Sequence, residues 1–199
     1  MKSSLRNMVL VLFAITLVCS AAVGVVYRYT KDPIEAAQSQ KKIDAVKAVL
    51  PAFTNNPVAE VVEIDGSKVY PAKDAYQNIG YAIESASAGF NGDVKLMIGF
   101  DTEGNIVDIA ILEQAETPGL GANMSTVDNP LIMSFRGKNA GQMTIKVKKD
   151  GGDVDALTAA TISSRAYTDA VAKAYEVFKK INAQNSAETA AQTEAPQQE

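Results

Sequence analysis

The sequence predicts an α+β protein: a single N-terminal transmembrane helix, then a domain in which an antiparallel sheet is packed by helices. Three observations predict it. Residues 8–27 form a run of twenty residues without a charge. Residues 79–114 alternate apolar positions between Gly/Asn/Asp-rich turns, the pattern of a β-meander. Residues 165–181 place Ala166, Val171, Ala174, Tyr175 and Phe178 on one helical face.

At a rise of about 1.5 Å per residue, the uncharged run covers a hydrocarbon core of roughly 30 Å. Lys2 and Arg6 precede it, and no acid occurs before Asp32. That asymmetry predicts residues 1–7 in the cytoplasm, an anchor over 8–27, and the remainder on the extracytoplasmic side of the cytoplasmic membrane. Two alternatives stay open. Ser20-Ala21-Ala22 offers small residues for signal cleavage, although the apolar run continues past them. Lipidation of Cys19 would need a small residue before it, where Val18 stands.

Residues 28–51 predict a connecting helix. Ile34, Ala37, Ile43, Val46, Val49 and Leu50 fall near helical spacing, Pro33 suits a first turn and Pro51 stops the helix. The domain proper is expected over 52–182. Residues 59–64 and 68–70 flank Asp65-Gly66-Ser67 as a short hairpin. Strands follow at 80–88, 93–100 and 106–112. Residues 143–148 alternate and predict another strand. Residues 183–199 are rich in Ala, Gln, Glu and Thr and predict a disordered tail.

Composition excludes whole classes of chemistry. There is no His, so neither a Ser-His-Asp nor a Cys-His triad can form, and the commonest zinc ligand is missing. One Cys cannot hold an iron–sulfur cluster or close an internal disulfide. No metal site and no catalytic residue of those classes is expected, and redox chemistry would need an organic cofactor. The net charge is −4, from 19 Lys+Arg against 23 Asp+Glu. Taking away Lys2 and Arg6 leaves 17 basic and 23 acidic side chains after the span, a net of −6, so nucleic acid is an unsuitable partner.

Two loops could carry chemistry. Residues 113–123, EQAETPGLGAN, offer a carboxylate, a hydroxyl and backbone amides around Pro118-Gly119. On composition alone an ordinary Pro-Gly connection is the favoured explanation. Residues 155–164, DALTAATISS, stand at the entrance of the last helix. The segment suits capping by Asp155 or Thr158, and the free helix amides suit an anion. Both readings can hold together.

Asp155, Thr158, Ala160 and Thr161 spell D-x-x-T-x-A-T, which resembles the flavin-attachment motif of the FMN-binding domain family. Glu116–Gly121, ETPGLG, resembles that family's second signature loop, and the likeness covers residues 78–182. The resemblance implies an FMN-binding domain with FMN esterified through its phosphate to Thr161. Leu157, Thr158, Ala160, Glu116, Thr117, Gly119, Leu120 and Gly121 would surround the cofactor. Glu116 would shape its own loop or set charge near the ring. Ala159 replaces the family's usual Gly, and an α-helical φ/ψ there would suit Ala.

Within the family the chain looks more like the G subunit of Rnf complexes, which couple ferredoxin and NAD to ion transport. The C subunit of the sodium-translocating NADH:quinone reductase is the alternative. The implied partners are the other subunits of a membrane-bound electron transport complex and a flavin transferase. The expected role is single-electron relay in a translocase, without catalysis by this chain on its own. The competing class is a flavin-free membrane-anchored scaffold or binding domain.

Overall fold

A computed structural model describes residues 5–75 and 77–193, with side chains to residue 184. The chain divides into two compact units, Met1–Lys42 and Ile43–Glu199.

The first unit is helical throughout its described part. Helix α1 runs Leu5–Val49 as one 45-residue element, with Pro33 inside it. The span over 8–27 and the connecting helix over 28–51 are thus continuous as far as Val49, and Pro33 lies inside the helix and not in a first turn. Leu10, Leu12, Phe13, Ile15, Leu17 and Val18 are exposed, with no protein neighbour covering them. Among the described residues this is the one helix long and apolar enough to cross a membrane.

The second unit is built on strands β1 (Val62–Ile64), β2 (Ser67–Asp74), β3 (Gln77–Ala88), β4 (Asp93–Asp101) and β5 (Ile106–Glu113). They lie in sequence order and every pair is antiparallel, so the sheet is a simple meander. Ile83 faces Ile98, and Ile98 faces Ile109, across the central strands. The Gly/Asn/Asp turns expected between these strands are present, with Gly66, Gly92 and Gly104 at positive φ.

Both faces of β4 are buried, which a one-sided alternation does not foretell. Val94, Leu96, Ile98 and Phe100 meet α3 (Thr161–Thr193) through Ala170, Val171, Ala174 and Phe178. Phe100 stacks on Phe178 with centroids 5.0 Å apart. On the opposite face Met97, Tyr70, Ala72, Ala82 and Leu112 pack against Ala45, Val46, Val49 and Leu50, the end of α1. Gly99 permits this approach, because a Cβ there would overlap the Val49 carbonyl.

Three further differences are informative. Residues 143–148 form no strand. Val147 makes only an isolated parallel bridge to Val154, and the Thr144 amide donates to the Asp153 carboxylate at 2.6 Å. The alternation there reflects alternate burial along a loop. A short helix α2 (Pro130–Phe135) is too brief for periodicity to announce, although Asn129-Pro130 is a start signal: the Asn129 side chain accepts the Ile132 amide at 3.1 Å. Finally, α3 continues to Thr193, so the expected tail is helical over 183–193. Residues 194–199 of that expectation lie outside the described residues.

Candidate functional site

The loop after β5 turns inward at Glu116, whose side chain is 4% exposed and is the one charged side chain in the buried set of described residues. Gln114 Oε1 accepts the Glu116 amide at 2.7 Å and sets that turn. Glu116 Oε1 accepts the amides of Phe90 (2.8 Å) and Asn91 (3.1 Å) from the β3–β4 turn. The Ser163 hydroxyl donates to Glu116 Oε2. Among the described residues no cation pairs with this carboxylate; three neutral donors satisfy it.

Residues 117–120 form a β-turn in which the Leu120 amide donates to the Thr117 carbonyl at 3.1 Å. Pro118 stands second and Gly119, at φ 77°, stands third, as a type II turn requires. Gly121 then passes so close to Glu116 that a Cβ would lie 2.7 Å from Oε2. Thr117 and Gly119 are exposed, Leu120 is 40% exposed and Gly121 is buried.

The second loop is also a turn. The Ala160 amide donates to the Leu157 carbonyl at 3.2 Å, with Thr158 and Ala159 between them. Ala159 has φ 58°, in the left-handed region. The expected α-helical backbone at 159 is thus overturned: Ala159 is a turn residue in a region that favours Gly for steric reasons. The Ser164 hydroxyl accepts the Leu157 amide at 3.0 Å and donates to the Ala160 carbonyl at 2.9 Å, which holds the turn on the helix.

Thr161 opens α3 and is half-buried. Ala160 precedes it and has no side-chain acceptor, while the Asp155 carboxylate pairs with Lys148 Nζ at 2.7 Å. Asp155 is therefore engaged elsewhere than at the helix start. The first-turn amides of Thr161, Ile162 and Ser163 have no intrahelical acceptor. Arg165, one turn on, is bound in bidentate fashion to Asp150, with both contacts at 2.7 Å. That hydrogen bonding holds the Asp150 carboxyl below its ordinary range and raises Arg165.

The two loops meet through Ser163, Glu116 and Gly121. Leu157 and Ala160 lie in the hydrophobic core, and Thr158 is exposed. Thr158 and Thr161 belong to the segment that Ser163 ties to Glu116, with no hydrogen bond of their own to residues 117–121 among the described residues. Sequence reasoning missed Phe90, Asn91 and the specific use of Ser163. The Gly89–Gly92 turn is visible as a turn, but nothing local to it announces a carboxylate 25 residues away.

Comparison with known proteins bears on the same residues. The model of the FMN-binding domain family matches residues 89–176, and that of the RnfG N-terminal region matches residues 1–49. A protein of Shewanella amazonensis, named as the G subunit of an ion-translocating oxidoreductase complex, is 34% identical over 187 residues, covering 86% of each chain. Its namesake in Shewanella baltica is 34% identical over 194 residues, covering 90% of this chain and 91% of the relative. That of Vibrio cholerae is 30% identical over 190 residues, covering 88% and 91%.

Proposed function

The chain belongs to the family of G subunits of ion-translocating oxidoreductase complexes and contains an FMN-binding domain, and from that premise we propose that Thr161 carries FMN as a phosphoester and that the loaded domain relays electrons within an Rnf-type complex. The observation that carries this reading is the start of α3. Thr161 presents a half-buried hydroxyl there, uncapped by Ala160, among first-turn amides with no intrahelical acceptor.

These residues fit a phosphate ester. The helix dipole and the three amides favour a negative group at this end, each contact being worth up to about 1 kcal/mol. Ala160 is small enough to let a phosphate reach the backbone. The role of Thr161 is attachment, with no proton held or moved. The amides of residues 117–121, the Thr158 hydroxyl and the Leu120 side chain are the proposed contacts for the rest of the cofactor. Leu157 and Ala160 support the turn from the core side.

Bound FMN supplies one- and two-electron redox chemistry that no side chain of this composition provides. A covalent tether holds the cofactor at high effective concentration where free flavin is scarce. The apolar α1 fits a single-pass membrane protein. The extracytoplasmic placement of the domain, maturation by a flavin transferase, and electron flow between ferredoxin and NAD belong to the proposal.

The test is co-expression of the exported full chain with a flavin transferase. A denaturing gel should show a flavin-fluorescent band that is lost in Thr161→Val, with the modified peptide identified by mass spectrometry. A dark wild-type band, with the transferase active on another target, overturns the reading in favour of a flavin-free scaffold.

A further inference from the structure

We propose that Glu116, acting through Ser163, is the positioning residue of the flavin-attachment segment, locking the first turn of α3 against the loop of residues 116–121. The inference rests on the reading of Thr161 as the attachment point.

Three stretches far apart in sequence converge on one carboxylate. The turn of residues 89–92 gives two amides, the loop of residues 116–121 gives the carboxylate, and α3 gives the Ser163 hydroxyl. The fit leaves no spare room: a Cβ on Gly121 would lie 2.8 Å from Glu116 Cβ, and one on Gly89 would run into Glu116 Oε1. A carboxyl group held at 4% exposure has given up its contact with water, so its protein donors are committed to it. Without it, two backbone amides and a hydroxyl lose their acceptor.

The helical geometry links this clasp to Thr161. Successive residues are about 100° apart around a helix, so Ser163 lies about 200° from Thr161. Pinning Ser163 to the buried side therefore turns Thr161 away from the core, in agreement with the burial of Ser163 and the partial exposure of Thr161. Ser164 pins the preceding turn at the same time. Glu116 works by fixing where the acceptor hydroxyl stands, and both its oxygens are occupied by protein donors.

The experiment compares wild type, S163A, E116A and E116Q in the full-length exported chain. The first readout is the initial rate of flavin loading by the transferase. The second is hydrogen exchange at the Phe90 and Asn91 amides, measured without flavin. S163A and E116A should load on the order of tenfold more slowly, the equivalent of one lost buried hydrogen bond. Exchange at Phe90 and Asn91 should accelerate about tenfold in E116A. In E116Q the amide oxygen still accepts both backbone amides and the amide nitrogen donates to Ser163, so loading should return to within about threefold of wild type.

Wild-type loading rates in S163A and E116A overturn the proposal, and so does an E116Q chain as slow as E116A. S163A removes a single hydroxyl, which keeps the test open should E116A fail to fold. A wild-type chain that stays unloaded beside an active transferase overturns the attachment reading itself. The exchange data, taken without flavin, then report separately on whether the clasp exists.

Discussion

The amide of Leu157 donates to the hydroxyl of Ser164 at 3.0 Å, closing the turn that precedes α3 onto the helix it introduces. Ser164 is fully buried, and its hydroxyl also donates to the Ala160 carbonyl. Ser164→Ala leaves a buried amide without an acceptor, a change that costs about 1–3 kcal/mol. Thermal unfolding should show a lowered Tm, with local exchange accelerated at Leu157. An unchanged Tm would mean that the turn is held by other contacts.

Inside the same turn, Ala159 stands at φ 58°. A left-handed conformation costs a residue bearing a Cβ about 1–2 kcal/mol; Gly adopts it freely but gives up more chain entropy on folding. Ala159→Gly should therefore raise stability by about 0.5–1 kcal/mol, the difference of those two effects, while Ala159→Val should lower it. Denaturant titration measures both. A destabilised Gly variant would contradict the turn geometry.

On the far side of the sheet, Gly99 lies under the Val49 carbonyl with no space for a side chain. Gly99→Ala forces the end of α1 off the sheet, and overpacking of this kind costs about 1–3 kcal/mol. The measurement is the denaturation midpoint, with fluorescence or exchange reporting whether residues 45–50 detach. Wild-type stability would show that this packing can shift without loss.

Tyr167 is stacked on Phe135 in the core. Burial raises its pKa well above the ordinary tyrosine value; the charge of Asp108 adds to this and Arg136 partly opposes it. The unfolded chain loses this proton near pH 10, roughly the free tyrosine value, while the folded chain keeps it. Stability is therefore full below about pH 10 and falls as pH rises beyond it. Tyr167→Phe should flatten that alkaline decline in a series of melts. An identical pH profile in the variant would assign the decline to other groups.

The elements legible in sequence are those whose signal is local. Residues 8–27 lack charges over a membrane's thickness, and β3, β4 and β5 alternate between turns built on Gly92 and Gly104. The resemblance to an FMN-binding domain is legible as well, because a residue pattern needs no coordinates. Residues 143–148 mislead because alternation records burial, and a loop pressed on a core alternates as a strand does. Pro33 misleads because a start signal also occurs inside a helix when its exposed turn can spare one amide.

By itself, then, the sequence determined the apolar span, the meander and the resemblance to an FMN-binding domain. Each of these follows from residue types and periods along the chain. Only the tertiary structure decided that Glu116 is satisfied by Phe90, Asn91 and Ser163, that Ala159 is left-handed, and that the end of α1 covers the second face of the sheet. Those outcomes depend on which distant segments share a buried volume. Burial makes an unsatisfied carboxylate costly enough to draw three separate segments together, and no local pattern carries that information.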